Sequence, residues 1–127
     1  MRLGFDVGGT KTDAVAVAPT GTVVARIRRP TGWGAEAVVA TVAGLTAELA
    51  DTVGIAASEF HSIGVGMPGQ VAPGSAVVTH SVNLGIDRLD LEATIGGRTH
   101  RIDHRVLMGE QFVVREIRSH LDVEVEP

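Results

Sequence analysis

The chain of 127 residues contains no cysteine. That excludes a disulfide framework, a thiolate zinc centre and thiol catalysis. It has little positive charge: 11 Lys and Arg stand against 15 Asp and Glu, for a net charge of −4 and a pI near 5.7. A nucleic-acid role therefore lacks its usual electrostatic basis. No apolar run approaches the ~20 residues of a membrane span. Strand-like sequence starts at Arg2, so no cleaved leader is expected and a cytoplasmic setting is the default. Lysine is nearly absent as well: Lys11 is the only one, and the other ten basic side chains are arginine. A lone ammonium marks a place where a compact point charge differs from a planar fork.

What is present is ample apolar material and unusual glycine. Hydrophobic residues make up 44% and mean hydropathy is +0.22, enough for one ordinary folded domain. Glycine occurs 16 times, near twice ordinary usage. Leu3, Phe5 and Val7 alternate with Arg2, Gly4 and Asp6, which predicts a strand over 2–7. Gly8-Gly9 signals a hairpin. A second strand is expected over 12–18, its unbroken Ala14-Val15-Ala16-Val17 implying cover on both faces. Pro19-Thr20-Gly21 is a turn, and a third strand follows over 22–29.

Pro30 to Gly34 reads as loop. Val38, Val42, Leu45, Leu49 and Val53 then recur at helical spacing, predicting a helix over 35–53 stopped by Gly54. Gly44 inside it costs about 1 kcal/mol against alanine, which close packing on the sheet would explain. A strand over 61–67, a hairpin over 71–79 around Pro73-Gly74, a loop over 83–88 and a short helix over 89–95 complete the first 97 residues. Composition then shifts: residues 98–127 hold 11 of the 26 charged residues, three of the five histidines and one glycine. An amphipathic helix over 106–121 and a final strand over 122–126 are expected there. The order predicts an α/β domain with an antiparallel three-stranded start, a mixed sheet and packed helices.

One constellation carries chemistry. In Asp6-Val7-Gly8-Gly9-Thr10-Lys11-Thr12, a carboxylate ends a strand, two glycines turn, and hydroxyls with an ammonium open the next strand. Glycines let backbone N–H groups converge on phosphate oxygens. Thr10 adds a hydroxyl, Lys11 a point charge, and Asp6 a carboxylate suited to hydrated Mg²⁺. Gly-Gly alone is an ordinary hairpin; with Asp6, Thr10 and the sole lysine in register, phosphate binding is the preferred reading. Gly64-Val65-Gly66-Met67-Pro68-Gly69 matches the dinucleotide fingerprint in letters, but Gln70 to Gly74 reads as extended chain where that fingerprint requires a helix, so nicotinamide binding is rejected. His100 and His104 could share a helix face, yet no metal-ligand pattern surrounds them, and no metal site is expected. His80 reads as a hydrogen-bonded loop histidine or a ligand contact. No nucleophile–base–orienter set is recognisable.

Asp6 to Lys11, the strand Ile63-Gly64-Val65-Gly66, Met67-Pro68-Gly69-Gln70-Val71 and His80-Ser81-Val82-Asn83-Leu84 together resemble the start of a ROK protein (repressor, open reading frame, kinase). The likeness covers residues 1–97, which it implies are an N-terminal lobe of actin-like, ribonuclease H-like ATPase fold; residues 98–127 fit it poorly and would be a divergent segment of the same domain. It implies a glucokinase-like transferase acting on a hexose or N-acetylhexosamine with ATP and Mg²⁺. It assigns phosphate and Mg²⁺ binding to Asp6, Gly8, Gly9, Thr10, Lys11 and Thr12, and sugar binding to Gly69, Gln70 and Asn83. It further implies that the general base, the second phosphate loop and the adenosine pocket belong to a C-terminal lobe past Pro127, so that the chain alone is inactive. Two other readings share the resemblance: the sugar-sensing part of a ROK-type repressor, and a non-catalytic assembly module. With acidic charge and Met1 abutting the first strand, DNA binding by the chain itself is not expected. Its partners would be the sugar and either the second lobe or another copy covering the sheet edge.

Overall fold

The computed structural model describes residues 1–71, 77–91, 101–106 and 112–118. Strands β1 (Arg2–Val7), β2 (Lys11–Val17) and β3 (Val23–Pro30) form the expected antiparallel meander. Helix α1 (Ala35–Val53) follows, then a 3-10 turn (Ala57–Glu59) and β4 (Ser62–Pro68). β4 returns beside β1 in parallel, pairing Asp6 with Gly66. Two short strands, β5 (Gln70–Val71) and β6 (Val77–Ser81), then a 3-10 turn (Val82–Leu84) and β7 (Ile86–Asp90), build a separate antiparallel sheet. β8 (Arg101–Val106) and β9 (Phe112–Arg118) complete the large sheet, whose order is β3-β2-β1-β4-β9-β8.

The core follows the alternation of the strands. Leu3, Phe5, Val7, Ala14, Ala16, Val65 and Met67 are buried, and α1 turns Val38, Val42, Leu45 and Leu49 into the same cluster. Val78, Leu84, Ile86, Leu89 and Leu91 extend that cluster into the small sheet. α1 touches β1, β2, β3 and β7, so it clamps the two sheets together. The helix ends as its sequence dictates: Gly54 adopts φ 78°, and its N–H and that of Ile55 both return to the Ala50 carbonyl.

Several expectations are corrected. The amphipathic helix over 106–121 gives way to β8 and β9, with 107–111 and 119–121 outside the described residues. The cause is the open edge of β4: β9 pairs along all of it, from Ser62 with Arg118 to Pro68 with Phe112. Val113, Val114 and Ile117 also suit a strand better than a helix. The loop over 83–88 is a 3-10 turn running into β7, and β7 occupies the start of the short helix placed at 89–95. There Leu89 pairs with Val78 across the small sheet, and cross-strand burial overrides the local helical spacing. Positions 92–95, the hairpin tip at 72–76 and the strand at 122–126 lie outside the described residues.

β2 is fully buried on one face only; Thr12, Ala14 and Ala16 are inside, while Asp13, Val15 and Val17 are half-covered. Gly44 is exposed and a Cβ there would meet nothing within 4 Å, so close packing does not account for it. His104 lies on a strand, which removes the shared helix face proposed with His100; His100 is outside the described residues.

Candidate functional site

β1 and β4 are parallel neighbours, so their carboxyl ends reach the same margin of the sheet. Ligands of open α/β sheets collect at such margins, because the loops leaving the strands diverge there. After β1 the chain turns through Gly8 to Lys11, with the Gly8 N–H donating to the Lys11 carbonyl at 2.9 Å. A Cβ on Gly8 would stand 3.0 Å from that carbonyl oxygen, and a Cβ on Gly9 would stand 3.3 Å from the carbonyl oxygen of Asn83. Side chains at these two positions would fill the space the turn leaves. Gly9, Thr10 and Lys11 are exposed, and among the described residues the Lys11 ammonium makes no ion pair.

The turn is braced from behind. The Thr31 N–H donates to the Thr10 carbonyl at 3.0 Å, and the Thr31 hydroxyl is 2.8 Å from that of Thr12, both side chains being fully buried. The Thr41 hydroxyl of α1 donates to the Thr31 carbonyl at 3.0 Å. Thr12 thus faces the interior and is occupied there. It supports the turn, whereas Asp6, Gly9, Thr10 and Lys11 are open to solvent.

Asp6 stands opposite Asp13 in the β1–β2 register. Arg28 grips Asp13 through two hydrogen bonds, of 2.8 and 3.1 Å. That hydrogen bonding, helped by the charges of Arg28, Arg26 and Lys11, holds the Asp13 carboxyl below its ordinary 3.8, and the same contact raises the Arg28 guanidinium. Asp13 being engaged, Asp6 is the carboxylate left beside the turn. An open hollow of about 360 Å³ runs along this sheet face, lined by Gly4, Phe5, Asp6, Asp13, Val15 and Arg26. It shares Asp6 with the turn but does not reach Gly8 to Lys11, so it is a neighbouring feature and not part of that turn.

The second half of the site leaves β4. Gly69 has φ 143°, and a Cβ there would come within 2.7 Å of Val78 Cγ1 and 3.1 Å of the Thr79 carbonyl oxygen, so only glycine fits. Strand β5 follows it, not a helix, which upholds the rejection of a dinucleotide fingerprint. Gln70 pairs with Thr79 of β6. His80, at the end of β6, is exposed with φ 56°, and its Nδ1 lies 3.1 Å from the Thr79 hydroxyl. The next residue, Ser81, is buried, and among the described residues its hydroxyl is the one buried side-chain polar atom without a partner. Asn83 then rides on the 3-10 turn that abuts Gly9.

Three residues were missed by sequence reasoning. Thr31 and Trp33 sit in the Pro30–Gly34 stretch, which gives only a loop signal, and Gly85 carries no motif. Yet the Gly34 N–H donates to the Leu84 carbonyl at 2.7 Å, and a Cβ on Gly85 would fall 2.6 Å from Trp33 Nε1. The signal was the Gly-Trp-Gly triplet itself: positive φ at Gly32 (81°) and Gly34 (93°) shapes the loop that meets the 82–85 turn.

The ROK family model matches residues 2–104. The chain belongs to the ROK family. Its fold is that of solved ROK sugar kinases. A ROK family glucokinase from Streptomyces griseus, crystallised with glucose and AMPPNP, superposes with a TM-score of 0.66 at 25% identity, over 76% of this chain and 30% of that one. A Listeria monocytogenes protein named as a candidate N-acetylmannosamine kinase superposes with a TM-score of 0.57 at 24% identity, over 74% of this chain and 32% of that one. The chain therefore spans about a third of the length of these relatives. No curated protein matches it. Among the described residues, no helix is long and apolar enough to cross a membrane.

The residues present fit the ligands that the family implies. A tight diglycine turn with an exposed ammonium suits phosphate oxygens. Among the described residues no three His, Cys, Asp or Glu gather as a metal cage. Mg²⁺ does not need one, since it takes one or two carboxylates with waters and phosphate oxygens, and Asp6 is exposed and makes no ion pair among the described residues.

Proposed function

We infer that the chain is the N-terminal lobe of an ATP-dependent hexose kinase, binding the nucleotide's terminal phosphates and the sugar at adjoining loops. The observation that carries this is the meeting of Gly9 with Asn83: a Cβ on the first would stand 3.3 Å from the carbonyl oxygen of the second. A phosphate turn and a sugar loop in contact are what phosphoryl transfer needs, because that chemistry depends mostly on positioning and charge stabilisation. Gly8 and Gly9 keep the cradle open, Thr10 offers a hydroxyl, and Lys11 supplies the point charge. Asp6 would hold Mg²⁺ through water, and the ion would neutralise charge on the phosphates. Thr12 positions the turn through Thr31. Gly69, Gln70 and Asn83 line the sugar side, for a hexose or an N-acetylhexosamine. The named ligands of the Streptomyces glucokinase, glucose and AMPPNP, support both halves of the reading. Dependence on ATP fits a cytoplasmic setting.

The resemblance puts the general base past Pro127, and such a base supplies about 10²–10⁴ in rate. The chain by itself is accordingly a binding half-site without useful turnover, completed by a second lobe. Calorimetry with ATP–Mg²⁺ and with glucose, N-acetylglucosamine and N-acetylmannosamine tests the binding claim, and a coupled phosphorylation assay tests the second. Binding of a nucleotide or a hexose, with Lys11→Ala weakening the nucleotide only, is the expected result. Absence of both at millimolar ligand overturns the reading. Turnover near one per second, the low end for kinases, overturns the claim of inactivity.

A further inference from the structure

We propose that Trp33 is the stacking platform for the sugar ring, a specificity-determining contact that the phosphate turn and the Asn83 turn do not supply. The proposal rests on the hexose-binding reading above and adds a residue to it. Trp33 is 70% exposed, an unusual place for an indole, whose burial normally dominates the energetics of a core or an interface. The exposure is imposed by the loop. Gly32, at φ 81°, leaves no room for a Cβ, which would stand 2.9 Å from Ala37 Cβ. Thr31 is tied to the turn and to α1, and Gly34 to Leu84. The indole is thereby pinned at its edge, since Nε1 and Cζ2 would lie 2.6 and 2.7 Å from a Cβ on Gly85. Its remaining surface stays in solvent.

The position matters as much as the exposure. The 82–85 turn has Gly9 against Asn83 at one end and Trp33 against Gly85 at the other. The indole therefore borders the sugar side of the site, with exposed Val82 (77%) on the same turn. A hexose has a polar rim of hydroxyls and an apolar face of C–H bonds. Asn83 and Gln70 can address the rim, but neither can cover the face. A fixed, exposed aromatic wall beside a few polar groups is the usual composition of a small-molecule site. Aromatic–apolar stacking of this kind also favours one ring face over the other, which makes it a discriminator among hexose epimers.

The chain has only this one tryptophan, so intrinsic fluorescence reports on Trp33 alone. The full chain is titrated with glucose, N-acetylglucosamine and N-acetylmannosamine, each followed by calorimetry and by tryptophan emission. The expected result is a saturable emission change whose midpoint matches the calorimetric one, and no change with ATP–Mg²⁺ alone. Trp33→Ala weakens hexose binding by about tenfold, Trp33→Phe by less, and neither moves the melting temperature appreciably. A hexose that binds by calorimetry with unchanged emission, or that binds Trp33→Ala as tightly as the parent chain, overturns the platform and leaves the kinase reading standing. An emission response to ATP–Mg²⁺ but not to hexose overturns it too, assigning the indole to the nucleotide base. Failure of every hexose to bind the parent chain removes the sugar reading itself, and the platform with it.

Discussion

Thr12 and Thr31 show how a buried hydroxyl pair can serve a surface turn. Each side chain is fully buried, and their hydroxyls lie 2.8 Å apart. Removing one hydroxyl orphans the other, at a cost of about 1–3 kcal/mol, whereas replacing both by shape-matched apolar groups can be nearly neutral. Thr31→Val is therefore expected to lower the urea midpoint, and Thr12→Val with Thr31→Val to recover much of the loss. A double variant as unstable as the sum of the singles would deny the pairing. Asp13 offers a test by titration. Its folded-state value is depressed by Arg28, so the stability it contributes is present above the unfolded value near 3.8 and fades as pH falls through the lower folded one. Carboxyl chemical shifts should report an Asp13 midpoint below 3.8, and Arg28→Ala should return it toward that value.

At the level of elements, α1 carries both a strong and a weak position. Leu45 and Leu49 are almost fully buried against the sheets, and truncation of either to alanine should cost about 2–5 kcal/mol. Gly44 is their exposed neighbour, with open space around its Cβ direction and helical backbone. Gly44→Ala is expected to raise stability by about 1 kcal/mol, seen as a higher melting temperature; a fall would mean that the helix needs glycine there for a reason the packing does not contain. β1 and α1 were legible because alternation and helical spacing agree with their burial, and the β5–β6 pairing because Pro73-Gly74 signals a turn in the sequence. β9 was not. Phe112, Val113, Ile117 and Leu121 satisfy a helical spacing as well as an extended one, and only the unpaired edge of β4 selects the strand.

For the molecule as a whole, the decisive feature is that three loops from distant parts of the chain meet at one margin of the mixed sheet. The 8–11 turn, the 31–34 loop and the 82–85 turn are joined by Thr31 to Thr10, Gly34 to Leu84, and Gly9 against Asn83. A branched side chain at Gly9 should push the 8–11 and 82–85 turns apart. Gly9→Val is expected to weaken ATP–Mg²⁺ and hexose binding in one variant, with calorimetry on each ligand as the measurement. Loss of one ligand alone would mean that the two half-sites are energetically separate.

The sequence by itself determined the opening meander, the helix and its stop, because those depend on spacing and residue type within a few turns of chain. It did not determine that Thr12 faces inward, that β9 closes the edge of β4, or that Trp33 stands beside Gly85. Those follow from contacts between segments 19 to 56 residues apart, whose pairing is set by shape and by the need to satisfy backbone groups left open elsewhere.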